Sequence, residues 1–370
     1  MKIKDIAEQI EKIAPLRLAQ EWDNVGLLIG DAGRYVKNIL LTIDITGDVL
    51  AEAKKLKTDL IVSYHPVIWD GMKKITSESQ NSIVYDLIRS DIAVFSVHTA
   101  LDSAIGGVND GLAEIVGIRD AKPIGDYVES PAGDNYKLVV FMPIKSAAKV
   151  SNAIFAAGAG AIGNYSHCGF SAEGTGSFLP REGARPAIGR KGRLEKVAEV
   201  RFETIVPAEK LEGAIAAMKK SHPYETPAYD YFKLYQNQDR FGLGRIGRLE
   251  KPTQLSHIIE KIKKYTGAES FGIVGKEKRL VKKAAVCAGS CGKIINSVIA
   301  AKADLYLTGE LKHHQALAAQ EAGLTCICLS HSVSERFILK KFGRQLKNRL
   351  KDVTIRTSKK DLDPFKWKKL

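Results

Sequence analysis

The sequence predicts an α/β protein: one discontinuous α/β domain with a parallel-rich sheet, interrupted by an inserted ferredoxin-like α+β domain. Three observations carry this. Apolar runs alternate with amphipathic helical segments over residues 1–128; the order becomes β-α-β-β-α-β over 129–238; and the alternation resumes over 239–370. Strands alternating with helices at this spacing form parallel sheets through βαβ crossovers, and β-α-β-β-α-β is the ferredoxin-like order. Inserted domains generally leave and re-enter their host at neighbouring surface points.

Taken in order, residues 3–13 have the periodicity of an amphipathic helix, and 21–30 form a polar, glycine-containing loop around Trp22. Residues 38–45 are a strand ending near Asp44, followed by a helix over 47–56. Asp59-Leu60-Ile61-Val62-Ser63-Tyr64-His65-Pro66 is a continuous apolar run closed by polar residues and a proline. Such a run predicts a strand covered on both faces, and its carboxyl end is where open α/β sheets place ligands. A helix over 80–90 precedes a strand over 91–97, which delivers His98; Asp102 follows, then Gly106-Gly107 and a helix.

In the middle segment, strands are expected over 136–142, 165–171, 174–179, 201–206 and 227–234, with helices over 146–157 and 208–220. Ser221-His222-Pro223-Tyr224-Glu225 fits a polar site and a plain helix-to-strand turn equally well. Beyond residue 250, helices are expected over 253–265, 292–301, 313–322 and 334–351, with strands over 283–287, 304–308, 325–330 and 352–357.

The 370 residues are 45% hydrophobic and 26% charged, ordinary values for a globular protein. No apolar run approaches the roughly 18 residues of a membrane span, and the charged start lacks a signal-peptide core, so a cytoplasmic protein without membrane partners is expected. The net charge of +14 is uneven: residues 240–370 hold 28 Lys and Arg against 11 Asp and Glu. That asymmetry suits an anionic small molecule such as a nucleotide, or nucleic acid, although a solvated basic surface accounts for it too. The five cysteines suggest reduced thiols. Cys326 and Cys328 alternate on one face of an apolar strand, which favours burial over zinc.

Gly242-Leu243-Gly244-Arg245-Ile246-Gly247 matches G-x-G-x-x-G on paper. Without a strand before it and a helix opening on it, it predicts a linker rather than a dinucleotide site. The better candidate gathers from strand ends: His65, then His98 with Asp102, then His331 with Glu335. One histidine at a strand end is ordinary structure, but several histidines and carboxylates closing parallel strands point to one crevice. Glu335, in the first turn of a helix, would keep its charge at little cost. Imidazoles and carboxylates without thiolate suit Zn²⁺, Mn²⁺ or Fe²⁺, and paired ions activate water.

The chain resembles the Nif-three-like dinuclear metal centre family, also called GTP cyclohydrolase I type 2 homologues, in its long bacterial form. The matching pieces are Glu21-Trp22-Asp23-Asn24-Val25-Gly26-Leu27, Ser63-Tyr64-His65-Pro66, His98-Thr99-Ala100-Leu101-Asp102, Gly106-Gly107-Val108-Asn109-Asp110, Thr308-Gly309-Glu310 and His331-Ser332-Val333-Ser334-Glu335. The resemblance implies a PII- or CutA-like middle unit, a toroidal homo-hexamer and two divalent metal ions per subunit. It places His65, Asp102 and Glu335 on one ion, His331 and the bridging Glu335 on the other, and His98 and His314 as orienting groups nearby. The family usually has two histidines where this chain has Tyr64-His65. Tyr64 leaves three outcomes open: a tyrosinate ligand favouring iron, a weakened second site, or a single-metal centre.

Three functions compete. The first is a metal-dependent hydrolase of a nucleotide or related heterocycle; the second a non-catalytic metal-binding or regulatory protein; the third a nucleic-acid-binding ring. The cyclohydrolase label rests on the resemblance alone, and fold does not fix chemistry.

Overall fold

The computed structural model describes residues 1–78, 82–128, 135–162, 165–234 and 241–366. The chain divides into two compact units, Met1–Glu129 with Arg240–Leu370, and Ser130–Asp239. The residues at the two crossings, 129–134 and 235–240, lie outside those described.

The first unit begins with strands β1 (Gly26–Ile29), β2 (Asn38–Thr42), β3 (Leu60–Ser63), β4 (Ala93–Ser96) and β5 (Ile118–Val128). The second unit holds β6 (Asn135–Pro143), β7 (Gly169–Phe178), β8 (Glu195–Pro207) and β9 (Tyr229–Lys233). The first unit then resumes with β10 (Phe241–Gln254), β11 (Gly272–Val274), β12 (Leu280–Cys287), β13 (Leu305–Thr308), β14 (Thr325–Cys328) and β15 (Thr354–Thr357).

The parallel arrangement occurs twice in the first unit, in two sheets rather than one. One has the order β1-β4-β3-β2-β15, parallel except for β1. The other has the order β11-β14-β13-β12-β10-β5, with β12, β13 and β14 parallel and the outer strands antiparallel. β15 completes the N-terminal sheet and β5 completes the C-terminal one, so neither segment can finish its sheet without the other.

Side-chain alternation along each strand covers both faces of both sheets. Ile39, Leu41 and Val62 share one core with Val286, Leu305, Leu307 and Ile327 of the other sheet and with Leu112, Ile338 and Phe342 of intervening helices. Leu40, Ile61 and Val94 face the opposite way, onto Val49, Leu50 and Leu87. Ala285, Tyr306 and Cys326 do the same in the second sheet, against Ile294, Val298 and Ala319. All five cysteines are free thiols, and burial pushes Cys326 up to about 12 and Cys328 up to about 11.

The glycine run 242–247 is not a linker but part of β10, which continues past the glycines to Gln254. A Cβ at Gly244 would meet Ile294 at 2.9 Å and the carbonyl of Val286 at 3.0 Å, and one at Gly247 would meet Ile118 at 2.6 Å. The glycines let β10 lie close between its neighbours, a common reason for glycine in a strand. The expected long helix 334–351 is two helices, His331–Arg336 and Ile338–Arg349, so Glu335 ends a helix instead of starting one. The helix-start argument for its charge therefore does not apply.

In the second unit, the antiparallel order β7-β8-β6-β9 is ferredoxin-like, with strands expected over 165–171 and 174–179 fused into β7. Helices Ala147–Ala156 and Ala208–Ser221 bury Val150, Ile154, Ala214 and Met218 against Leu138, Val140 and Phe202. No helix among the described residues is long and apolar enough to cross a membrane.

Candidate metal centre

The carboxyl ends of the parallel strands of both sheets meet at one cleft. Past β3, the N–H groups of Tyr64 and His65 still bond the carbonyls of Thr42 and Ile43, at 2.9 and 3.0 Å, which fixes where the two side chains emerge. Past β14, the N–H groups of Leu329 and Ser330 bond the carbonyls of Thr308 and Gly309 at 3.0 and 3.1 Å. Ser330 has φ 77° and ψ 155°, a region used almost only by glycine. Its hydroxyl is anchored on Asp363 Oδ2 at 2.7 Å. This forced turn starts the helix that carries His331 and Glu335 on adjacent turns.

His65, His331 and Glu335 offer ligand atoms that all lie within 4.8 Å of one another. Nε2 of His65 is 3.5 Å from Glu335 Oε2, and Nε2 of His331 is 3.3 Å from Oε1. On the far side of each ring, His65 Nδ1 meets Asp44 Oδ1 at 2.9 Å and His331 Nδ1 lies 3.4 Å from Glu310 Oε2. A carboxylate on the second ring nitrogen is how metal-binding histidines are usually oriented. Glu335 is buried, and its Oε2 has no hydrogen-bond partner among the described residues. Gly289 adopts φ +67°, and a Cβ there would sit 2.6 Å from Glu335 Oε1 and 3.4 Å from His331 Nε2. Two convergent imidazole nitrogens, an orphaned carboxylate oxygen and a wall stripped to glycine fit a divalent cation.

The charges agree. Glu335's hydrogen bond, ahead of opposing burial, pushes His331 up to about 9. Burial lowers His65, but the Asp44 hydrogen bond and the Glu335 charge outweigh it and leave the ring above its ordinary value. Burial also pushes Asp102 up to about 6. A cleft that holds a proton on His331 and favours one on His65 favours positive charge generally, and a metal ion competes for the same electrons.

The surrounding cavity measures about 450 Å³. Asp102 and His98 line it, outside the close group. Asp102 accepts the hydroxyl of Tyr64, while His98 Nδ1 is held by Asp23 Oδ1 at 2.8 Å. Tyr64 is buried with its phenol pushed well above the ordinary value, by burial first and by Asp102 next, so it acts here as a donor. His314 is exposed on the helix His313–Glu321 and does not line this cavity.

A model of the family described as Duf34/NIF3 (NGG1p interacting factor 3) matches residues 1–364. The chain belongs to the Duf34/NIF3 family. A Bacillus subtilis relative named GTP cyclohydrolase 1 type 2 homolog is 37% identical over 367 residues, 98% of this chain and 97% of its own. Its namesake from Halalkalibacterium halodurans is 35% identical over 364 residues, 97% of each chain. Among solved structures, the Bacillus cereus protein related to NIF3 has a TM-score of 0.77 at 36% identity, covering 99% of both chains. Staphylococcus aureus protein SA1388 has a TM-score of 0.83 at 28% identity, again over 99% of both.

Several groups that build the site in this NIF3 chain were given no site role by the sequence reading, although Glu310 and Ser334 lie in its matching pieces. Asp44 and Glu310 orient the imidazoles, and the Ser334 hydroxyl accepts the N–H of Gly289 at 2.8 Å. Asp44 stands at a strand end, like His65, and that shared position was the available signal. Nothing in the residue spacing marks Gly289 or Ser334. Arg245, inside the glycine run, is buried; it bonds Asp110 and, at 3.0 and 3.2 Å, the carbonyls of Ser103 and Ala104 just after Asp102.

Proposed function

We propose that this chain is a divalent-metal-dependent hydrolase of a nucleotide or a related heterocycle. The observation that carries the reading is the convergence of His65, His331 and Glu335 around an otherwise unsatisfied buried carboxylate oxygen. A bound divalent ion supplies Lewis acidity and an activated water there. The chain's own groups do the rest. Asp44 and Glu310 hold the two imidazoles in place. Asp102, its carboxyl pushed up to about 6, stands ready to hold a proton beside them. Trp22 and Trp69, both exposed and lining the cavity, set their rings 5.8 and 5.3 Å from that of His98, which offers flat walls to a planar heterocycle. Lys293 is the sole lysine or arginine among the described lining residues, placed for an anionic substituent. The relatives' names point to GTP or a compound like it.

The same reading gives the centre two ions held unequally, because the Tyr64 hydroxyl is engaged by Asp102 and is not free to serve as a ligand. It also includes assembly into a ring of six copies, which light scattering tests. The decisive assay is turnover of GTP and other nucleotides with and without added Mn²⁺, Zn²⁺ or Fe²⁺. Metal-dependent turnover abolished by Glu335→Ala supports the hydrolase. Tight metal binding without turnover of any nucleotide would favour a non-catalytic metal protein. DNA binding with a steep salt dependence would favour the nucleic-acid ring.

A further inference from the structure

The inserted unit has a cavity of its own, of about 390 Å³, between the end of β7, the segment Leu179–Ile188 and the turn Tyr224–Ala228. Its walls are mostly apolar, with Phe141, Phe178, Leu179, Pro186 and Ile188 among them. Glu199, on β8, also lines it and is only 9% exposed. Oε1 of Glu199 accepts the hydroxyl of Tyr224 at 2.9 Å. Oε2 abuts Gly176, where a Cβ would come within 2.0 Å of it, so this glycine makes the room the carboxylate occupies. Among the described residues no lysine, arginine or histidine forms an ion pair with Glu199. Arg185, exposed at the rim of the same cavity, gives its backbone N–H to Glu225 Oε1 at 2.9 Å. The turn is held from behind by His222, whose Nε2 donates to the carbonyl of Phe141 and whose Nδ1 accepts the N–H of Tyr224, both at 3.0 Å.

Among the described residues this buried carboxylate has one neutral donor and no ion pair, an arrangement that is costly unless something pairs with it. Here it faces an apolar cavity large enough for a small molecule. We propose that this cavity binds a small organic cation, an ammonium or guanidinium group carried on an apolar body, with Glu199 as its counter-ion. The apolar walls take the body of the ligand; Glu199, oriented by Tyr224 and admitted by Gly176, takes its charge. The site lies wholly within the inserted unit and does not depend on the metal-centre reading.

The test is calorimetric titration of the full chain with phenethylammonium, 2-phenylethanol and 3-phenylpropionate, which share an apolar body and differ in charge. Saturable binding of the ammonium, with the alcohol and the acid at least about tenfold weaker, is expected. Glu199→Gln should reduce ammonium binding by about tenfold or more, with the fold checked by thermal unfolding. Gly176→Ala keeps the charge but displaces the carboxylate, and should lose the same preference. It reports on the site should Glu199→Gln fail to fold. No saturable binding of any of the three, an alcohol that binds as tightly as the ammonium, or binding unaffected in either variant would overturn the proposal.

Discussion

The hydroxyl of Tyr64 donates a hydrogen bond to Oδ1 of Asp102, with both side chains buried beside Glu335 and His65. Burial and the Asp102 charge hold the phenol protonated, so Tyr64 serves as a donor to a carboxylate of the cleft. Tyr64→Phe leaves that carboxylate short of a partner at nearly constant volume. It should cost about 1–3 kcal/mol in urea unfolding, the desolvation cost of an unsatisfied buried acceptor. An unchanged urea midpoint would show that the bond contributes nothing.

Tyr64→His replaces a phenol that binds divalent ions poorly with an imidazole that binds them well. Elemental analysis should find more tightly held metal per chain in the variant than in the native protein. Equal content, with both ions leaving together on mild chelation of the native chain, would contradict the unequal centre.

Gly289 combines a left-handed φ of +67° with contact against both Glu335 and His331. Alanine there is strained in its backbone and drives its Cβ into the Glu335 carboxylate. Gly289→Ala should lose about 1–2 kcal/mol of stability from the backbone alone and should bind metal more weakly. Dialysis against a metal buffer followed by elemental analysis reads the second effect.

The architecture was legible because its signals are local. Short continuous apolar runs closed by polar residues and a proline, such as Leu60–Ser63 before Pro66, read as strands covered on both faces, and the change of element order past residue 128 marks the ferredoxin-like unit without reference to any contact. His65, His331 and Glu335 were legible for a related reason, since strand ends can be found from periodicity. What the sequence concealed is long-range. β5 contains Pro123 and several charges and is a strand because it lies at a sheet edge beside β10. The glycines of β10 looked like a linker because their purpose is the closeness of Val286 and Ile294. The left-handed turn at Ser330, tied to Asp363 across 33 residues, is equally invisible to a local reading. His314 resembles a site histidine in sequence and stands exposed in space.

Arg245 is the least predictable of these residues and among the most connected. Its guanidinium bonds Asp110, the carbonyls of Ser103 and Ala104, and that of Gly242 at 2.7 Å. Arg245→Met strips partners from all of them and should cost about 3–5 kcal/mol, as for one member of a buried ion pair. Arg245→Lys should recover only part of that loss in the same urea titration, because an ammonium cannot reproduce the planar fork.

His222 gives the inserted unit a pH dependence of known sign. Its two ring bonds require the neutral form, and burial lowers its pKa from the ordinary value. The unfolded chain then binds more protons between the two values, so the contribution is full above the unfolded pKa and is lost as pH falls through the folded one. Hydrogen-exchange protection of β6 amides should fall between about pH 7 and 5, and His222→Gln should flatten that decline. An equal decline in the variant would assign the effect to another group.

The metal centre itself is tested most directly by anomalous scattering from crystals of untreated protein, measured on both sides of the manganese, iron and zinc absorption edges. The expected result is an anomalous peak between His65, His331 and Glu335, within coordination distance of Glu335 Oε2, the buried oxygen that has no hydrogen-bond partner among the described residues. Crystals that show no anomalous density there, from protein never exposed to chelator, would contradict the metal centre and the hydrolase built on it.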